Sequence, residues 1–243
     1  KLPDYSLEKI DDTANMILAQ LKFGLGGDGE NDLDASLVMV DSRGVYVDHV
    51  YAKCGKLRSN VKGPSAAELM ARVQAGNLAI AAAGAGAIPA EAKLHERKAA
   101  VVHSGDKLNG FDVEGDDEFI EVDLMSVQPN VAVIYFIALL YDGFAKTLAE
   151  VPRSYVRMLN KSSPVDRMHK ELDRFALKDI SDDTVTAFIP YAIVKKDTAH
   201  WELVHAREPL DGRDWVDVFP FIRLFTKLHF DVPHWKVWKM DVY

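Results

Sequence analysis

Hydrophobic and polar positions alternate with a period of two along much of this chain. In ILAQLKFGL (17–25), Ala19, Leu21, Phe23 and Leu25 fall on one side and Gln20 and Lys22 on the other, which predicts a half-buried strand. SLVMV (36–40) predicts a second, short strand. DSRG then supplies a turn, and 45–50 returns as the other arm of a hairpin. Residues 119–124 set Ile120, Val122 and Leu124 against Glu121 and Asp123. VAVIYFIALLY (131–141) is a continuous apolar run between Pro129-Asn130 and Asp142-Gly143, as expected of a strand buried on both faces. Further strands are predicted at 155–159, 184–194 and 200–204. Short strands separated by turn signals predict a mostly β protein built as a β-sandwich.

Three stretches depart from that period. Ser65 and Glu68 in SAAE form a capping box ahead of LMARVQ, and Pro89 suits the first turn of a further helix, AEAKLHERKA. Residues 61–99 are therefore expected to be a helical insertion between strands. In VDRMHKELDRFALKDI (165–180), Met168, Leu172, Phe175 and Ala176 have the spacing of an amphipathic helix. The third is the tail from Trp215, which holds eight of the chain's 23 aromatic residues in 29 positions and places Phe221, Leu224, Phe225 and Leu228 on one helical face. The expected organisation is a sandwich domain over 1–206 and an aromatic-rich extension over 207–243.

Composition narrows the function. A 48% hydrophobic content over 243 residues supports a substantial core, and a net charge of −8 argues against a nucleic-acid surface. No run of 18 apolar residues could cross a bilayer as a helix, although an assembly containing the protein could still be membrane-associated. The one cysteine, Cys54, excludes an internal disulfide, fits a reducing compartment and is expected to be a small apolar filler. An intracellular protein is expected: cytoplasmic, or mitochondrial if a targeting peptide preceded Lys1.

The chemistry-bearing residues lie in two acidic stretches. Residues 28–34 offer Asp28, Glu30, Asn31, Asp32 and Asp34; residues 106–118 offer Asp106, Asn109, Asp112, Glu114, Asp116, Asp117 and Glu118. Carboxylates so close together repel, so each stretch is either a solvated loop or a site for a hard cation such as calcium, which takes six to eight oxygen ligands. Neither is an EF-hand: counted from Asp28, the sixth position is Leu33 and the twelfth Met39, where that loop needs Gly and Glu. There is no GxSxG, HExxH or P-loop, Gly84-Ala-Gly86 lacks a third glycine, and the histidines have no ligand spacing. Carboxylate-based hydrolysis is the one enzymatic alternative, and the sequence supplies no cleft for it.

NDLDASLVMVDSRG (31–44) and HSGDKLNGFDVEGDDEFIEVDL (103–124) together resemble the two signature segments of the TerD family of tellurite-resistance and stress-associated proteins. The resemblance continues through VAVIYFIALLYD and SYVRMLN, and more weakly to HWELV. It implies a β-sandwich that binds calcium in acidic loops at one end, with Asp32, Asp34, Asp106, Asp116, Asp117 and Glu118 as the ligand positions. The chain departs from the family pattern at Gly27-Asp28, at Gly105-Asp106-Lys107 and in its helical insertion, and Lys107 sets a positive charge beside the expected ligands. These departures and the aromatic tail suggest a non-enzymatic accessory or docking subunit, contacting protein partners through 207–243 and the 61–99 insertion. The alternative is a free calcium-binding stress protein.

Overall fold

The computed structural model describes residues 20–28, 31–60, 99–108, 115–142, 145–161, 170–182, 184–196 and 200–229. Ten strands run in chain order: β1 (Gln20–Gly26), β2 (Asp32–Val40), β3 (Tyr46–Tyr51), β4 (Val101–His103), β5 (Glu118–Asp123), β6 (Val133–Asp142), β7 (Tyr155–Asn160), β8 (Lys170–Ala176), β9 (Ala187–Lys195) and β10 (Trp201–Leu210). A helix, α1, follows at Trp215–His229. The strands form two five-stranded antiparallel sheets, ordered β4-β5-β1-β7-β8 and β10-β9-β6-β2-β3. The expected mostly β sandwich is the architecture found.

Alternation decides what lies between the sheets. Leu21, Phe23 and Leu25 of β1 meet Leu33, Ala35 and Leu37 of β2 and Ile134, Phe136 and Ala138 of β6, with the Phe23 and Phe136 rings stacked 5.1 Å apart. Each such fully buried Leu or Phe contributes about 1.5–3 kcal/mol. The intervening residues of β2 and β6, among them Val38, Val40, Tyr135, Ile137 and Leu139, point to the opposite face, where α1 covers them with Val218, Ile222 and Phe225. That second layer is why 131–141 is apolar without a break. Asp214 and Asp217 open α1 as a reciprocal cap: Val216 N–H donates to Asp214 Oδ1 at 3.0 Å, and Asp214 N–H donates to Asp217 Oδ2 at 3.1 Å. In the β2–β3 turn Gly44 has φ +73°, and a Cβ there would come within 2.8 Å of the Arg223 carbonyl on α1.

Several expectations need correction. The helix expected over 165–180 is instead strand β8 followed by a 3-10 turn at Leu177–Asp179, and 162–169 lie outside the described residues. Its periodicity suited a helix, but pairing with β7 and the Arg157–Glu171 contact across the two strands at 3.2 Å hold it extended. The apolar face of α1 is Val218, Ile222 and Phe225; Leu224 and Leu228 are each 52% exposed. Phe225 and, at its edge, Phe221 of the expected stripe do pack there; apolar residues surround this helix almost completely, so spacing alone selected a stripe only half of which is covered. Strand β2 begins at Asp32 rather than 36, which puts Asp32 and Asp34 in a strand and not in a loop. Strand β10 continues four residues past 206, so the sheet extends into the segment assigned to the extension. Cys54 is exposed, not a core filler, with its Sγ 3.3 Å from His49 Nε2. Residues 61–98, including Ser65 and Glu68, and 230–243 lie outside the described residues.

Candidate cation site

The ends of β1, β3, β4 and β6 and the starts of β2 and β5 meet at one end of the sandwich. On β2 the period of two places Asp32 and Asp34 on the face that also carries Val38 and Val40. Asp34 is fully buried, and its Oδ2 accepts a hydrogen bond from Tyr51 Oη at 3.4 Å. Asp106, from the segment after β4, completes a group in which one carboxylate oxygen from each residue lies within 4.8 Å of the others.

A lysine stands among them. Lys53, two residues beyond β3, places its ammonium 2.6 Å from Asp32 Oδ2, 3.2 Å from Asp106 Oδ1 and 4.0 Å from Asp34 Oδ1, over the Tyr141 ring at 4.7 Å. Burial works against the ammonium, but hydrogen bonds to Asp32 and Asp106 and the charge of Asp34 outweigh it and hold Lys53 above the ordinary lysine range. One ammonium does not balance three carboxyl groups. Burial, then the neighbouring Glu118 and Asp32, push Asp34 up to about 8, with Lys53 only partly offsetting them. Asp32 Oδ1 and Asp34 Oδ1 are buried without a hydrogen-bond partner. An all-oxygen donor set of three converging carboxylates, with two unsatisfied buried oxygens, fits a hard divalent cation.

The other expected ligand positions do different work. Asp116 turns away from the cluster to meet Lys22 Nζ at 2.9 Å, Arg157 Nε at 2.6 Å and Tyr155 Oη at 3.3 Å. Burial would raise its pKa, but the hydrogen bonds from Arg157 and Lys22 prevail and hold it below the usual carboxylate range. Its carboxylate lies so close over β1 that a Cβ on Gly24 would stand 2.3 Å from Asp116 Cγ. Asp117 Oδ2 accepts from Gly27 N–H at 2.8 Å. Burial, partly offset by that bond, raises the Asp117 carboxyl.

Glu118 and His103 close a gap in the sheet. The β3 partners of β2 end at Tyr51, opposite Ser36. One residue further, Ala35 N–H donates to Glu118 Oε2 at 2.7 Å and the Ala35 carbonyl accepts from His103 Nε2 at 2.9 Å. Gly105 N–H donates to His103 Nδ1 at 3.0 Å, which sets the ring proton on Nε2. Two side chains thus stand in for the missing strand. Lys107, the cation expected beside the ligands, contributes its backbone N–H to Glu118 Oε1 at 3.1 Å and its charge acts on Asp117; the ammonium among Asp32, Asp34 and Asp106 belongs to Lys53. Of the remaining acidic-stretch residues, Asp28 pairs with Arg153, Asn31 Oδ1 accepts from Ala145 N–H at 2.8 Å, and Glu30, Asn109, Asp112 and Glu114 lie outside the described residues.

Lys53 carried no signal in composition or motif, yet the hairpin contains one. Ser36 opposite Tyr51 extrapolates, two residues along each strand, to Asp34 opposite Lys53.

Comparison with known proteins bears on the fold and its relatives. A family model described as the TerD domain matches residues 92–207. The chain is similar to TerD-family proteins, and the stretch that matches their model runs from just before β4 to within β10. Tellurium resistance protein TerZ of Serratia marcescens is 26% identical over 211 residues, covering 81% of this chain and 83% of the relative. General stress protein 16U of Bacillus subtilis (strain 168) is 35% identical over 95 residues, 38% of this chain and 46% of that protein. The crystal structure of a homologue of telluride resistance protein (TerD) from Streptomyces coelicolor A3(2) superposes with a TM-score of 0.54 at 15% identity, covering 83% of this chain and 95% of the other. A second solved structure, of a protein of unknown function, gives 0.55 at 12% identity, over 87% and 98%. Likeness to the solved structures carries the TerD fold alone.

Proposed function

We propose that this TerD-like protein is a non-catalytic, stress-associated binding protein that takes a divalent cation, calcium first, on Asp32, Asp34 and Asp106. The observation that carries the reading is the pair of buried carboxylate oxygens, on Asp32 and Asp34, with no hydrogen-bond partner in a group of three carboxyl groups faced by one ammonium. A bound cation would supply the charge that offsets their repulsion. Tyr51 orients Asp34, while Glu118 and His103 hold the backbone of β2 beside it at Ala35. The resemblance to TerZ and to a general stress protein supports the stress-associated role. An intracellular location goes with it, since Cys54 is free and exposed. Among the described residues, no helix is long and apolar enough to cross a membrane. Calorimetric titration with calcium tests the reading: wild type binds, and Asp32→Asn/Asp34→Asn does not. Absence of binding by wild type at millimolar calcium would remove it.

A second reading, an accessory subunit docked on a protein partner, is favoured by one observation: Val216, Leu224 and Leu228 of α1 are each more than half exposed. Native mass spectrometry after gentle isolation separates the two, since a subunit retains stoichiometric partners when calcium is chelated and a free binder does not.

A further inference from the structure

Resting on the cation-binding reading, we infer that Lys53 is a built-in competitor for the site: its ammonium occupies the place among Asp32, Asp34 and Asp106 that a divalent cation must take, so binding proceeds by exchange and Lys53 sets the affinity.

The geometry leaves little room for both. The Lys53 ammonium is within 4.0 Å of all three carboxylates, and its side chain is only 15% exposed. A divalent ion ligated by the same oxygens at about 2.3–2.6 Å would sit almost on top of it. The charge count sets the direction. A monovalent ammonium satisfies Asp32 Oδ2 and reaches Asp106, but it leaves Asp32 Oδ1 and Asp34 Oδ1 without a hydrogen bond, and these are the atoms a more highly charged ion would engage. Lys53 has an exit. It follows β3 on the turn 52–55, and Asp106, the outermost of the three acids with a side chain 37% exposed, lies on the solvent side. A flexible four-carbon stem can swing outward without disturbing the β2–β3 ladder.

Exchange has a measurable consequence. When the binding-competent state is a minor population, apparent affinity falls by its fraction, so a competitor seated in most molecules lowers calcium affinity about ten- to a hundredfold. In the absence of cation the same ammonium limits repulsion among the acids, so Lys53 both weakens binding and supports the cation-free fold.

The test is calcium titration and cation-free thermal melting of the full chain as wild type, Lys53→Met, Lys53→Arg and Lys107→Met. Lys53→Met keeps the length and removes the charge. It is expected to bind calcium at least tenfold more tightly than wild type, to melt lower without cation and to recover on adding calcium. Lys53→Arg stays near wild type, and Lys107→Met stays within about twofold, as expected of a charge not seated in the cluster. Reductive methylation of Lys53, read by mass spectrometry, should rise in wild type when calcium is added. If Lys53→Met binds no more tightly than a wild type that does bind, the exchange is wrong while the cation site stands. If neither binds, both fail. If only Lys53→Met binds, the exchange holds in its strongest form: Lys53 has replaced the cation in this chain, and the cation-binding reading of wild type falls.

Discussion

Two carboxylates at the same end of the sandwich, Asp116 and Asp34, are almost equally buried and behave in opposite ways. Asp116 meets two cations, Lys22 and Arg157, of which only Arg157 is shared, with Glu171, and it is held below its ordinary value. Asp34 shares a single ammonium with Asp32 and Asp106 and is pushed up to about 8. Burial raises both, so the sign is decided by the balance of opposite and like charges that each one meets. A carboxylate with surplus positive charge is a structural clamp. One with a deficit holds room for a further cation.

The largest effect expected from this contrast is at the clamp. Asp116→Ala takes the carboxylate from Lys22 and leaves Arg157 with Glu171 alone, and should cost about 3 kcal/mol in urea unfolding, with or without calcium. Asp34→Asn has the opposite sign: it removes a carboxyl burdened by its neighbours, and each unit of elevation removed returns about 1.4 kcal/mol. The variant should therefore be about 1–2 kcal/mol more stable than wild type at pH 8 without cation, by the same measurement, and should lose its calcium response. Destabilisation of that variant would show that Asp34 is already well paired.

The pH dependence divides along the same line. Between its unfolded value near 3.8 and its folded value near 8, Asp34 holds a proton in the folded state that the unfolded chain has released, so its contribution to stability falls as pH rises through that window. For Asp116 the unfolded chain takes up the proton first, so its stabilisation is complete above about 3.8 and disappears as pH falls through the lower folded value. Melting temperatures of cation-free wild type and Asp34→Asn from pH 4 to 8 should diverge toward the alkaline end, and saturating calcium should remove the Asp34 component. The smallest expected change in stability is at the rim of the cluster. Asp106→Asn, at a partly exposed side chain, should fall within about 0.5 kcal/mol of wild type while weakening calcium binding several-fold by titration.

Much of this arrangement was legible along the chain because period-two alternation is a local property. The alternation at 17–25 and 119–124 corresponds to β1 and β5, and the unbroken apolar run at 131–141 to β6. Legibility failed where a neighbour overrode a local preference. The helical spacing around Leu172 and Phe175 yielded to pairing with β7, and the apolar ring of α1 gave no unique buried stripe until the sheet beneath it selected Val218, Ile222 and Phe225.

A mostly β sandwich, a concentration of carboxylates in two stretches and a likeness to one family were all readable from residue types and short-range order. What each carboxylate faces emerged with the packing of distant segments. That packing brought Asp32, Asp34 and Asp106 together across some seventy residues, assigned Asp116 to Lys22 and Arg157, and seated Lys53 rather than Lys107 among the acids. The physical reason is that charge interactions depend on distance in space, and strand register, which sets those distances, is fixed by pairing between segments far apart along the chain.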